Sequence, residues 1–280
     1  MQRRQFLSAA AVSAAMTASA RTLSTVGAQL YTVRSVLPEK PLETLQAIEE
    51  IGFKEVEVVG GSLPAIWPHL QQTKLKAVSV HLDTGLFLRT PEKLPAAIED
   101  AAKRGFRFAV CPYIAPQDRG GVEVIKRLAD SLNKAGEKCN AAGLTLAYHN
   151  HAFEFEPAGS GTLLDVLMQN ADAKLVQLEL DIMWVKVAGV EPVSVIEKYG
   201  KRVALMHLKN VKAGIPSRYN EGIPRDGFAE LDKGVIDMAP VLAAAAKAGV
   251  KHYFIEQDQT PGNPLDSLRQ SFAHISKLNY

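Results

Sequence analysis

His149, Asp181, His207 and Glu256 each fall at the end of a short run of alternating apolar and polar residues. Two imidazoles and two carboxylates converging on one axis make a donor set for a divalent cation, because nitrogen and oxygen ligands suit zinc and its first-row neighbours. A buried ion-pair network groups the same residue types and is the alternative. The same runs carry His81, His151, Glu179, Lys209 and Asp258. A cation beside a base suits one chemistry on carbonyl compounds. It polarises a carbonyl and acidifies the neighbouring C–H, so that a base such as Glu256 or His151 removes the proton. Lys209 shares the face of His207 and could hold a substrate oxygen or stabilise an enolate; its alternative is a salt bridge to Asp181 or Asp258. Trp184 follows Asp181 and offers its face either to a sugar ring, as a substrate-binding residue outside the framework, or to the next helix. His81 is expected to line the pocket, as is Asp258. Tyr31 and Glu57 are pocket candidates that lie farther from the ligand set by sequence order.

These residues need elements that bring them together. Eight β-like runs recur: Val26 to Tyr31, Glu55 to Val59, Ala77 to His81, Phe106 to Cys111, Leu144 to His149, Leu175 to Asp181, Val203 to Leu208 and Tyr253 to Gln257. Alanine- and leucine-rich segments of helical spacing separate them, such as Leu42 to Ile51, Leu94 to Ala102, Val122 to Ala142, Leu163 to Met168 and Met238 to Ala248. Eight strand–helix repeats predict an α/β fold, a single (β/α)8 TIM barrel over residues 21–280. Parallel strands buried on both faces should be apolar throughout. These are not. Period-2 geometry puts Thr145/Ala147/His149/His151, Gln177/Glu179/Asp181, His207/Lys209 and Glu256/Asp258 on one face of their runs. Gln29/Tyr31, Glu55/Glu57, Ser79/His81 and Cys111/Tyr113 follow suit in the earlier runs. The apolar faces must meet the helices, so the polar faces point to the barrel axis. Their ionisable ends lie at the C-terminal mouth, where barrel enzymes place their chemistry. His252 falls inward at the opposite end. The stretch Asn210 to Gly234 is the longest irregular connection, and reads as a lid or an oligomer contact.

The chain has 280 residues, 22% charged and 47% hydrophobic, with 32 basic against 30 acidic side chains. That balance suits one α/β domain and excludes a nucleic-acid or anionic-surface partner driven by charge. Two cysteines, Cys111 and Cys139, cannot form a disulfide framework or a Cys-x-x-Cys metal site. Residues 1–20 read as an address. Arg3-Arg4-Gln-Phe6-Leu7, an alanine-rich run and Ala18-Ser19-Ala20 resemble a twin-arginine signal peptide, which predicts a periplasmic protein. The run is too short for a stable membrane span. Its removal takes Arg3 and Arg4 with it and leaves the two signs equal in number.

Gln29-Leu30-Tyr31-Thr32-Val33-Arg34, Tyr148-His149-Asn150-His151-Ala-Phe153-Glu154-Phe155, Glu179-Leu180-Asp181-Ile-Met-Trp184, His207-Leu208-Lys209-Asn210 and Phe254-Ile255-Glu256-Gln257-Asp258 resemble the sugar phosphate isomerase/epimerase family of xylose-isomerase-like barrels. The resemblance implies one divalent cation held at the ends of strands five to eight: Mn2+ first, with Co2+, Zn2+ or Mg2+ as alternatives. It also implies two acid/base glutamates, and only Glu256 matches. A histidine, His149, stands where related epimerases place the other. His151, Glu179 and Lys209 are therefore the candidates for the partner group. Asp181-Ile182-Met183-Trp184 lacks the Asp-x-x-His pair of the DNA-cleaving relatives, which argues against a multi-zinc endonuclease. The expected activity is metal-dependent sugar isomerisation or epimerisation through an enediolate. The alternatives are a lyase or dehydratase on 3-keto-glycosides or keto-inositols, and a non-catalytic periplasmic sugar-binding barrel. The expected partner is a sugar or keto-sugar, with a homo-oligomer as a further expectation.

Overall fold

The computed structural model describes residues 21–280; the expected signal peptide, residues 1–20, lies outside them. Eight parallel strands close into a barrel: β1 (Gly27–Gln29), β2 (Glu55–Val59), β3 (Lys76–His81), β4 (Phe108–Cys111), β5 (Thr145–His149), β6 (Val176–Asp181), β7 (Val203–Leu208) and β8 (His252–Ile255). Each pairs with its neighbours in sequence, and β1 pairs with β8 to close the ring. A helix follows every strand: α1 (Pro41–Ile51), α2 (Leu63–Leu70), α3 (Leu94–Lys103), α4 (Val122–Ala141), α5 (Leu163–Asn170), α6 (Pro192–Tyr199), α7 (Met238–Ala248) and α8 (Pro264–Ile275). The fold is a single (β/α)8 barrel. No described helix is long and apolar enough to cross a membrane.

The helices form where the residue pattern places them. α4 buries Ile125, Leu128, Ala129, Leu132, Ala135 and Cys139, one stripe of helical period. α5 starts on a capping box in which Thr162 and Asp165 satisfy each other's backbone N–H groups. Five of the eight helices carry proline at their first or second position, where its missing N–H leaves no orphan.

The barrel axis is filled in layers. Val78, Val110, Ala147, Leu205 and Phe254 form a separate apolar cluster inside the ring. Phe254 requires Gly27 opposite it: a Cβ there would lie 2.4 Å from the ring. Below this plug His252 Nδ1 meets Glu55 Oε2 at 2.8 Å, at the end far from the mouth. Above it stand the ionisable side chains. In β3 and β7 the register shifts by one residue against their partners, at Val78 and at Ala204. Beyond the second shift Leu205 and His207 face the axis.

Two expectations of strand phase are corrected. In β4 the inward residues are Phe108 and Val110, and Cys111 packs in the outer core. All four residues of Phe108-Ala109-Val110-Cys111 are apolar, so alternation carries no phase there. β1 ends at Gln29, and Leu30–Val33 forms a 3-10 turn capped by the Gln29 side chain, which accepts the Tyr31 N–H. Tyr31 therefore leaves the strand alternation and stands 41% exposed at the mouth.

The connection from Asn210 to Gly234 is tied down. Asn210 is buried; its amide donates to the carbonyls of Leu231 and Ile236 and accepts the Val211 and Ile236 N–H groups. A Cβ at Gly234 would fall 2.1 Å from the Asn210 side chain. Asn210–Val211 and Phe228–Ala229 pair as a short antiparallel ribbon. The loop between them reaches back over the mouth, where the Arg119 guanidinium meets Glu221 at 2.9 Å.

Candidate active site

Asp181 ends β6 and begins the short helix Ile182–Val187. Its Oδ1 accepts the N–H groups of Met183 and Trp184 at 2.9 and 3.1 Å, a cap that fixes the carboxylate. The other oxygen, Oδ2, is buried and takes no backbone N–H; its partner is the Lys209 ammonium. It lies 3.0 Å from Lys209 Nζ, 3.7 Å from His149 Nε2 and 4.0 Å from His207 Nδ1. Glu256 Oε2 lies 2.8 Å from the same His207 Nδ1 and 2.7 Å from Lys209 Nζ. Of the four residues read from sequence as a ligand set, Asp181, His207 and Glu256 come together at the ends of β6 to β8, while His149, 3.7 Å from Asp181 Oδ2, groups with His81, Glu179 and His207. Lys209 joins them, with Asp258 Oδ1 a further 3.0 Å from its ammonium. Burial opposes the Lys209 charge, but the carboxylates of Asp181, Asp258 and Glu256 outweigh it and hold the ammonium well above the ordinary lysine range. Burial pushes the Asp258 carboxyl up as well, to about 6.

A second layer lies beneath. His81 Nε2 is 2.8 Å from both Glu57 Oε1 and Glu179 Oε2. His207 Nε2 is 2.6 Å from Glu57 Oε1, and His149 Nδ1 is 3.3 Å from Glu179 Oε2. Each imidazole of the ligand set therefore turns one nitrogen toward the mouth and the other toward a buried carboxylate. Burial disfavours the protonated form of His81, yet Glu57 and Glu179 raise it to about 9. Burial, with His207 beside it, keeps His149 well below the usual histidine range. Glu179, expected from sequence as a partner base, and Glu57, expected at the pocket, are fully buried in this layer and line none of the cavity above it. They face imidazoles instead. His81 reaches both layers: it lines the cavity floor and bridges the two glutamates.

Two groups of side chains can hold a metal ion among the described residues: Asp181, His207 and Glu256 above, and His81, His149, Glu179 and His207 below. The donor chemistry fits a divalent cation. Glu57, Glu179, Asp181, Glu256 and Asp258 bring five carboxylates into one buried region beside one ammonium and the His81 and His207 imidazoles, whose protonated forms they favour. Buried negative charge needs a compensating cation or protons. Asp181 Oδ2, held only by the Lys209 ammonium, faces the upper group, and Glu256 and His149 open onto the cavity. The lower carboxylates have the geometry that orients imidazole ligands and raises their basicity. Glu57→Gln is expected to weaken divalent-metal affinity about 10–100-fold while leaving the fold intact. Competition with a fluorescent chelator, alongside circular dichroism, checks both halves of that expectation.

The cavity above the site has a volume of about 590 Å³. His149, His151, Trp184, Lys209, Glu256 and Asp258 line it on the side of β5 to β8. His151 is stacked on Trp184 with centroids 5.4 Å apart and meets the edge of Tyr113 at 4.8 Å. Burial and the Lys209 charge hold His151 well below the usual histidine range, so it is a neutral base. Its backbone N–H donates to Glu154 Oε2 at 2.9 Å, and Tyr148 Oη donates to Glu154 Oε1 at 2.7 Å. Glu154 therefore positions the turn that carries His151; burial pushes its carboxyl up to about 8.

Trp184 lines the cavity but is only 2% exposed, and its ring meets Phe228 edge-on at 6.2 Å. The expectation that it stands outside the framework is corrected: a side chain so enclosed is also core. Trp184→Ala is expected to cost about 3–5 kcal/mol of stability in addition to raising KM. Chemical denaturation and steady-state kinetics on the same preparation separate the two losses.

Sequence reasoning passed over several cavity residues. Asp83, Glu221, Phe228 and Gln259 also line the mouth. They lie in connections, where no period marks a face. The alternation puts Tyr113 on a strand face, yet it reaches the cavity from the loop after β4.

The sequence model of xylose isomerase-like TIM barrels matches residues 88–278. The chain belongs to that family. Among curated members of known sequence, this xylose isomerase-like barrel is 26% identical over 166 residues to an inosose dehydratase of Clostridium beijerinckii, covering 54% of each chain. The chain thus spans about half the length of the curated relatives it matches. In fold it is similar to a sugar phosphate isomerase/epimerase of Parabacteroides distasonis, with a TM-score of 0.76 at 18% identity over 91% of this chain and 98% of that one. It is also similar in fold to the IOLI protein with a bound zinc atom, with a TM-score of 0.69 at 11% identity over 91% of this chain and 100% of the other. The family includes dehydratases, isomerases and epimerases.

Proposed function

We propose that this xylose isomerase-like barrel is a divalent-metal-dependent enzyme that removes a proton next to a sugar carbonyl, with isomerisation or epimerisation as the outcome. The observation that carries this reading is the convergence of Asp181 Oδ2, Glu256 Oε2 and His207 Nδ1 beside Lys209, with His149 Nε2 near Asp181, at the floor of a cavity walled by the neutral His151. Asp181, His207, Glu256 and His149 would hold the cation. Bound there, a divalent ion supplies carbonyl polarisation. Mn2+ is the proposed ion, and Zn2+ is the alternative supported by the likeness to the zinc-bound IOLI fold.

The chain's own residues then divide the work. His151 accepts the proton from carbon through its ring, which Trp184 and Tyr113 hold in place. Lys209 Nζ donates a hydrogen bond to the oxygen that gains charge as the enediolate forms. Asp258 and Glu256 keep the Lys209 ammonium charged and aimed. Return of the proton to the neighbouring carbon gives isomerisation; return to the opposite face gives epimerisation. Glu256 is committed to His207 and Lys209, which favours His151 as the base.

A second reading is a dehydratase or lyase that expels a β-oxygen substituent from the same enediolate. His149 in the strand-five position, where the related epimerases carry an acid/base glutamate, favours it, as does the similarity to inosose dehydratases. Incubation with metal and a keto-sugar in heavy water tests the shared first step. Deuterium at the carbon beside the carbonyl is expected. An isomerase or epimerase keeps every oxygen, whereas a lyase releases water or an alcohol and leaves an unsaturated ketone that absorbs in the ultraviolet. Saturable sugar binding with neither solvent exchange nor a primary isotope effect from deuterated substrate points to a binding protein instead. The amino-terminal Arg3-Arg4 sequence supports export of the folded protein to the periplasm.

A further inference from the structure

We propose that the cavity is built for an uncharged glycoside, with a second subsite for its aglycone, and rejects phosphorylated sugars. This deepens the reading of the site given above and rests on it.

The first observation is charge. The residues lining the cavity include four carboxylates, Asp83, Glu221, Glu256 and Asp258, against one ammonium, Lys209, and the His81 imidazole at the floor, which Glu57 and Glu179 already hold. Lys209 is already shared by Asp181, Glu256 and Asp258. The arginines near the mouth are occupied as well. Arg34 donates to the carbonyls of Asp258 and Tyr31, and Arg119 to Glu221 and the Ile114 carbonyl. Neither lines the cavity. Phosphate sites need free guanidinium or ammonium groups, or uncapped helix N-termini. The helix ends beyond β6, β7 and β8 are capped by Asp181, Asp237 and Asn263, and the first residues of α1 to α4, whose ends carry no side-chain cap, do not line the cavity. With the sugar carbonyl end at the cation, a phosphate on the far end of the sugar would meet the carboxylates of Asp83, Glu221 and Asp258 in a partly desolvated space, with no free guanidinium or ammonium among the lining residues.

The second observation is shape. At about 590 Å³ the cavity falls within the range of sites for drug-sized ligands and exceeds what one sugar ring fills. Its two halves differ in chemistry. The half from β5 to β8 carries the ionisable groups that would act on a carbonyl. The half contributed by the connections after β1 to β4 presents Tyr31, Leu82, Pro112 and Tyr113. Asp83, in that half, spends one oxygen on the Gly85 N–H. The two tyrosines are held as platforms. The Arg34 guanidinium covers Tyr31 at 4.0 Å, and Tyr113 is wedged between His151 at 4.8 Å and the Arg119 guanidinium at 5.1 Å. Pre-ordered aromatic faces beside a polar half suit a sugar whose reacting ring lies over His151 and Lys209. Its aglycone, an aromatic group or a second sugar, would lie against the tyrosines.

Calorimetric titration of the manganese-loaded chain tests this. The ligands are glucose, galactose and mannose, each with its phenyl glycoside and its 6-phosphate, and affinities are compared within each set. For at least one sugar the phenyl glycoside is expected to bind about 5–10-fold tighter than the free sugar, the size of one aromatic contact. Its 6-phosphate is expected to bind at least about ten-fold weaker than the parent, as like-charge repulsion requires. The glycoside gain should vanish in Tyr113→Ala and survive in Tyr113→Phe. No gain from the phenyl group in any set, no measurable binding across the panel, or a 6-phosphate bound as tightly as its parent overturns the inference. Deuterium exchange reads the first chemical step separately. Exchange with small keto-sugars but no aglycone gain discards the subsite alone. Aglycone-dependent binding without exchange discards enolisation alone.

Discussion

One divalent cation per chain is expected to remain on the protein after stripping and reloading with Mn2+, and none on His207→Ala. His207 is the residue through which the two layers of the site communicate. Its Nδ1 meets Glu256 and faces Asp181, while its Nε2 meets Glu57. Alanine removes the nitrogen donor and leaves four carboxylates of the buried set with fewer partners. The effect should therefore be near-complete loss of stoichiometric metal, rather than a modest change in affinity. Elemental analysis after desalting measures it. His252→Ala is the control: that histidine pairs with Glu55 at the far end of the barrel and should leave metal content unchanged. Full metal retention by His207→Ala would remove the upper group as the cation's site and direct attention to His81, His149 and Glu179.

The second large effect is expected on proton transfer. His151→Ala should lower the rate of substrate-dependent solvent exchange about 10²–10⁴-fold, the usual worth of a positioned general base. Lys209→Met should lower it about 10²–10³-fold, the usual worth of one donor to a developing oxyanion. Metal content in both variants is measured in parallel. If His151 is the base, its variant keeps the metal and loses exchange. If Lys209 serves only as a counter-ion for Asp181, Glu256 and Asp258, Lys209→Met should retain exchange and bind metal more tightly, because the competing ammonium is gone. A His151 variant that exchanges at the normal rate would shift the base assignment to Glu256. Comparison of both variants in the same heavy-water assay separates these outcomes without knowledge of the natural substrate.

The residues themselves determined the architecture and the upper layer of the site. Eight short runs of period 2, each followed by a segment of helical period, leave few arrangements other than a closed barrel. Polar alternation within strands that should be apolar marks which face turns to the axis. Because that period is rigid within a strand, His149, Asp181, His207 and Glu256 could be placed on one mouth from residue order alone. The alternation stopped being informative where both parities are apolar, as in β4, and where a side chain ends the strand, as Gln29 does before Tyr31.

Tertiary structure alone decided how the layers stack and what walls the cavity. Glu57 lies far from His207 in sequence, yet its carboxylate is 2.6 Å from that imidazole across the axis, because closure makes distance along the chain irrelevant inside the ring. The same closure turned Glu179 from a candidate base into a buried partner of His81 and His149. Trp184 was legible as a neighbour of Asp181, but its enclosure by His151 and Phe228 depends on two other connections. Glu221 reaches the mouth only because Asn210 pins its loop and Arg119 meets it from the connection after β4. Periodicity encodes faces of regular elements. Loop reach and depth along a shared axis are set by packing between elements, and no local pattern records them.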